Sequence, residues 1–244
     1  MILSHKQIEE IAAAVTKDFN EFFFGKDADN ERSTAQATPI DQFASDYLGL
    51  SVSFAHLSSD GSLCGITAYA DTEYTIEEHG VKRTIPLKAN QVILDMSFIQ
   101  PGQVHALSGK RRFTLAHECA HQILFGMESD NDKRTHESKY APRAAYSLRD
   151  LKTREDWNEW QANVLGAAIL MPQKEIDIAM RQFARGRVLK NYEGRFDYID
   201  RLSLTLLCQS LGVSKSAAII RLRQLGYIED RPFAEYGDPL EVWP

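Results

Sequence analysis

Residues 111–125 constrain this chain more than any other stretch. They contain neither glycine nor proline and carry His117-Glu118-Cys119-Ala120-His121 at their centre. In an α-helix, residues four apart fall about 40° apart around the axis, so both imidazoles project from one face. Phe113, Ala116, Ala120 and Leu124 lie on or beside that face, and Leu115, Cys119 and Ile123 lie on another. A helix apolar on both sides has to be buried, so the fold must be built around it. Ser108 is placed as its N-cap and Gly126 as the glycine that ends it. Buried polar groups need partners. Core histidines bonded to backbone carbonyls would meet that need. So would a divalent metal, usually zinc, held by His117 and His121, with Glu118 placed to take a proton from water on the metal. With 7 His and 34 Asp plus Glu in 244 residues, chance supplies at most about 0.03 such patterns.

A catalytic zinc needs a third protein ligand and one open position. His136, Glu137, Glu155 and Glu159 follow at usable distances in sequence. Glu159 is the best of them. It lies in a second predicted helix, opened by a capping-box pattern at Thr153 and Asp156 and closed by Met171-Pro172. Trp160, Val164, Ala167 and Met171 give that helix a buried face. Glu159 adjoins the face, where an unpaired carboxylate is costly unless a cation meets it. His136 and Glu137 read as solvated loop residues. Manganese or iron also suits two histidines and a carboxylate, with zinc the default.

Three separated blocks carry a family resemblance: Arg112-Phe113-Thr114-Leu115-Ala116-His117-Glu118-Cys119-Ala120-His121, then Glu159-Trp160-Gln161-Ala162-Asn163, then Ile169-Leu170-Met171-Pro172. In this order they resemble the ImmA/IrrE family of metallopeptidases, and the likeness extends over roughly residues 38–228. Cys119-Ala120 departs from the Leu-Gly usual there. The polar stretch Glu128 to Lys152 resembles an insertion over the cleft. The resemblance implies a gluzincin-like site with His117, His121 and Glu159 as zinc ligands and Glu118 as general base. It also implies a protein substrate, a helix-turn-helix repressor. For the oxyanion, His136, Tyr140 and Tyr146 are all candidates, and spacing does not choose among them.

The rest of the chain fits an α+β protein. Residues 1–37 read as an N-terminal helix, capped at Ser4 with Gln7, and a polar linker. The charges Glu9, Glu10, Lys17 and Asp18 distinguish that helix from an export signal and favour the cytoplasm. No apolar run reaches membrane-spanning length. Cys64, Cys119 and Cys208 show no paired spacing, which fits reduced thiols. Residues 38–172 read as a zincin-like domain. In it, Ile40 to Tyr47 is a short helix. The runs 51–57, 66–69, 74–76, 84–87 and 91–94 are strands of a small, mainly antiparallel sheet, with Pro86 on an edge or strand end. An edge strand beside the cleft is expected to hold an extended substrate segment.

Residues 173–191 read as helix. Leu202 to Ile228 reads as helix, turn, helix, with Gly212 in the turn and Ser214 as a cap. The acidic tail 229–244 is expected to pack loosely. Residues 174–228 carry ten Lys and Arg against five acids, a surplus of +5 in a chain of −6. That surplus supports an alternative, a DNA-binding regulator with a structural or degenerate metal site. The start of the second helix, Ser214-Lys215-Ser216-Ala217, is thin in base-reading side chains, so DNA binding is not favoured.

Overall fold

The first helix, α1 (His5–Phe24), starts where Ser4 and Gln7 cap each other reciprocally. The computed structural model describes residues 2–25, 33–58, 61–78, 81–128 and 153–237. Ile8, Ala12 and Phe19 form the buried stripe of α1. The Leu3 amide ahead of it donates to Gln161 Oε1 at 2.7 Å. A short turn, α2 (Ile40–Gln42), passes directly into a π-helical turn at Phe43–Tyr47. Phe43 meets Phe19 edge to face, with ring centres 5.1 Å apart.

The strands follow as β1 (Ser51–Ala55), β2 (Gly65–Ala68), β3 (Thr72–Glu78), β4 (Val81–Leu87) and β5 (Gln91–Asp95). Two of their three pairings are antiparallel: β2 with β5, and β3 with β4 in a hairpin. β1 runs parallel to β5, from Ser51 opposite Gln91 to Ala55 opposite Asp95. A parallel pair needs a long crossover, and β2 with the hairpin supplies it. The position of β5 in the middle explains its unbroken apolar run Val92-Ile93-Leu94, buried throughout. Pro86 sits opposite Glu73 in β4, whose strand partner among the described residues is β3 alone. That is the edge position a missing N–H requires.

The central helix, α3 (Val104–Gly126), starts earlier than its punctuation implies. Ser108 and Gly109 lie inside it, and Gln103 precedes it with no side-chain cap. Gly126 is its last residue rather than a left-handed terminator. Gly109 serves contact instead: a Cβ there would lie 3.0 Å from the Ser214 backbone nitrogen. Arg112, one turn further on, ties the same helix down, donating to the Gly212 carbonyl at 2.9 Å and the Thr38 carbonyl at 2.8 Å.

After α3 come α4 (Arg154–Leu170), with the Thr153 and Asp156 capping box in place, and α5 (Gln173–Ala184). The helix expected over 173–191 stops at Ala184, where Arg185 and Gly186 take positive φ of 54° and 73°. The chain then forms β6 (Leu189–Tyr192), paired in parallel with β7 (Ile228–Arg231). Residues 229–231 of the expected loose tail are therefore strand. Between β6 and β7 lie α6 (Tyr198–Leu211) and α7 (Lys215–Gln224), which cross at 102°. Gly212 takes φ 63° in the turn, and Ser214 accepts from the Ala217 amide at 3.2 Å. One apolar core runs from Leu3 through α3 and α4 to Ile228. A smaller one, including Leu57, Leu63, Ile66 and Leu87, lies around the strands.

Candidate metal centre

Helices α3 and α4 pack backbone against backbone at the centre. A Cβ on Gly166 of α4 would lie 3.0 Å from the His117 nitrogen and 3.1 Å from the Ala116 carbonyl oxygen. That approach brings Glu159, two turns earlier on α4, alongside both histidines. Gly166→Ala would gain helix propensity, but the obstacle is main chain in the middle of a buried helix. The expected result is destabilisation of about 1–3 kcal/mol, read as a lowered urea midpoint with weaker retention of bound zinc. A raised midpoint would show that the contact is relaxed.

His117, His121 and Glu159 are all buried, and their donor atoms lie within 4.8 Å of one another. The two Nε2 atoms are 3.0 Å apart. Glu159 Oε1 is 2.9 Å from His121 Nε2, and Oε2 is 3.3 Å from His117 Nε2. Tetrahedral zinc, with donors about 2.0–2.1 Å from the centre, has edges of about 3.3 Å. The separations between the imidazoles and the nearer carboxylate oxygens are close to that edge, so the side chains suit a single shared ion. Both carboxylate oxygens of Glu159 are enclosed without a hydrogen bond, as suits atoms directed at a shared point. Burial pushes the Glu159 carboxyl up, but His117 and His121 together pull it down further, to about 2. The residue is thus an anion held between two imidazoles, a donor set suited to a divalent cation.

Glu118 lies on the same helix, almost fully buried, with its carboxylate against β2. The strand is tied down two residues on, where Gln122 Nε2 donates to Thr67 Oγ1 at 2.6 Å and to the Ala68 carbonyl at 3.0 Å. Tyr69, directly after β2, stacks on Phe125 with centres 4.2 Å apart. Burial, then the charges of Glu118, Glu159 and Glu128, hold the Tyr69 phenol well above its usual value, so it remains a neutral O–H donor. Nothing in the local sequence pattern around Tyr69 points at residues some fifty or more positions away.

The other expectations divide. Glu155 lies in the first turn of α4, exposed and away from the three donors. His136, Glu137, Tyr140 and Tyr146 lie outside the described residues, as does the polar segment except Glu128. Glu128 Oε1 accepts from Arg154 Nη2 at 3.1 Å, joining the end of α3 to the start of α4. Cys119 belongs to the apolar core, and burial, with the charges of Glu118 and Asp41, pushes its thiol up. All three cysteines are free thiols.

The two-helix unit has few cations to spare. Arg221 is only 1 % exposed, with its guanidinium on the Glu9 carboxylate and its Nε donating to the Met171 carbonyl at 3.0 Å. Arg223 pairs with Asp230 at 2.8 Å, and Lys215 lies over the Phe196 ring. Arg187 pairs with the buried Asp200. Arg221 therefore joins α7 to α1 and the end of α4 rather than facing a ligand, which weakens the case for DNA as an anionic partner.

Two histidines on one buried helix and a carboxylate from the next thus form a group that could hold a metal ion. Residues 104–223 match the family described as the IrrE N-terminal-like domain, Peptidase_M78. That match is consistent with the ImmA/IrrE family of metallopeptidases. No curated protein sequence matches the chain. Among the described residues, no single helix is long and apolar enough to cross a membrane.

Proposed function

We propose that the chain is a zinc-dependent endopeptidase that hydrolyses a bond in a regulatory protein, a helix-turn-helix repressor, with His117, His121 and Glu159 as ligands and Glu118 as general base. The observation that carries this reading is the cluster of three buried donors, all within 4.8 Å of one another, with a further buried carboxylate, Glu118, on the same helix as the two histidines. Zinc held there would acidify a water molecule and polarise a peptide carbonyl. Glu118 accepts the proton of the attacking water and passes it to the leaving amine. The close approach of Gly166 to the His117 and Ala116 main chain supports this placing of α3 against α4. The repressor as substrate rests on the family resemblance alone.

The test uses the zinc-loaded chain with the small helix-turn-helix repressor encoded nearest its gene and, in parallel, a proteome-derived peptide library read by mass spectrometry. Cleavage at a defined bond is expected, abolished by 1,10-phenanthroline and restored by zinc. Cleavage indifferent to the chelator, or none in either substrate set, would sink the reading.

A further inference from the structure

Strand β2 lies so close to α3 that it leaves no room for a side chain above Glu118. A Cβ built on Gly65 would sit 2.7 Å from Glu118 Oε1 and 2.6 Å from the Thr114 methyl carbon, Cγ2. Backbone freedom does not explain this glycine. Gly65 is in a regular strand opposite Leu94, and its φ is not positive. Glycine weakens a strand interior, and there it often marks a close approach by another group.

Each neighbour can be asked whether it could give way. β2 is paired along its length to β5 and bonded to Gln122 through Thr67 and Ala68. The Asn90 amide also donates to the Ala68 carbonyl at 2.9 Å. The strand therefore cannot retreat from the helix. Thr114 is 1 % exposed, and its hydroxyl donates to the Lys110 carbonyl at 3.0 Å, which sets its rotamer. The remaining movable atoms are those at the end of the Glu118 side chain.

We infer that Gly65 is a positioning residue for Glu118: its missing side chain reserves the space in which the carboxylate is held beside the His117, His121 and Glu159 donors. An alanine at 65 turns the carboxylate away while leaving those donors where they are, because the three atoms nearest the added carbon belong to Thr114 and Glu118 and none to His117, His121 or Glu159. The inference rests on Glu118 being the base. A displacement of about 1 Å in a reacting group costs on the order of 10²-fold in rate.

The experiment compares Gly65→Ala, Thr114→Ser, the double variant Gly65→Ala/Thr114→Ser, and Glu118→Gln. Thr114→Ser removes the methyl that meets the new carbon, so in the double variant only the carboxylate is crowded. Zinc stoichiometry, the visible absorption bands of the cobalt-loaded protein, and kcat and KM on the repressor or on the best-cleaved library peptide are measured for each. The expected result is full zinc content throughout and parental behaviour in Thr114→Ser. In the double variant, kcat should fall about 10–100-fold with KM unchanged, and the cobalt bands should move toward those of Glu118→Gln. Parental bands and parental kcat in the double variant would overturn the inference, and so would loss of zinc, which would make Gly65 a support of the ligand set. If no substrate is cleaved, the cobalt bands decide alone. Full activity in Glu118→Gln removes the base itself, an outcome read independently of position 65.

Discussion

Replacing Glu118 with glutamine should leave the zinc content unchanged and lower kcat/KM by about 10²–10⁴-fold, the range general-base catalysis contributes. The amide has the shape of the carboxylate, so the space against Gly65 stays filled and α3 keeps its packing. Glu118 is not one of the three converging donors, so the metal loses no ligand. What disappears is the carboxylate proposed to take the proton. The loss should fall on kcat more than on KM, because proton transfer belongs to the transition state. Atomic emission for zinc and steady-state kinetics on the cleaved repressor check both halves. A variant as active as the parent would rule out Glu118 as the base.

The centre was unusually legible because its parts lie on helices, where spacing dictates direction. His117 and His121 share a face through helical geometry alone. Glu159 was picked out by a capping box and an apolar stripe, and the structure sets it beside both imidazoles. Ser4 and Ser214 cap their helices through their hydroxyls, and Gly212 takes the left-handed turn that its lack of a side chain permits. What could not be read depends on distant partners. The parallel β1–β5 pair joins segments separated by three other strands, and short alternating runs do not reveal which of them meet. β6 has only four residues and acquires its partner beyond α6 and α7. Ser108 reads as the cap of a helix, yet it lies within one, next to Gly109, where the start of α7 packs closely. Arg221 is one of the ten cations counted over 174–228, and only the fold shows Glu9 closing over it. Pattern along the chain gives the direction of a side chain, whereas these features depend on what stands opposite.

Glu159 should control both metal retention and the acid stability of the metal-free protein, and two substitutions separate these effects. Glu159→Ala removes a ligand outright. Zinc affinity should fall by more than the roughly 10–100-fold that follows loss of an outer-shell partner, and the variant should emerge from dialysis against a weak chelator without its metal. Unchanged zinc content would sink the ligand assignment. Glu159→Gln keeps the side-chain volume and deletes the charge, which isolates the titration. In the parent the folded carboxyl lies at about 2, below its ordinary 4.5, because His117 and His121 outweigh the cost of burial. The native state therefore favours the ionised form. The resulting stabilisation is complete above about pH 4.5 and is lost as pH falls from there toward 2. A shift of this size corresponds to on the order of 3 kcal/mol. Urea unfolding of both proteins in chelator should thus show a gap in favour of the parent at pH 5 that narrows steadily toward pH 2. A gap that stays constant over that range would mean that Glu159 is held by packing alone, and that the imidazoles do not stabilise its charge.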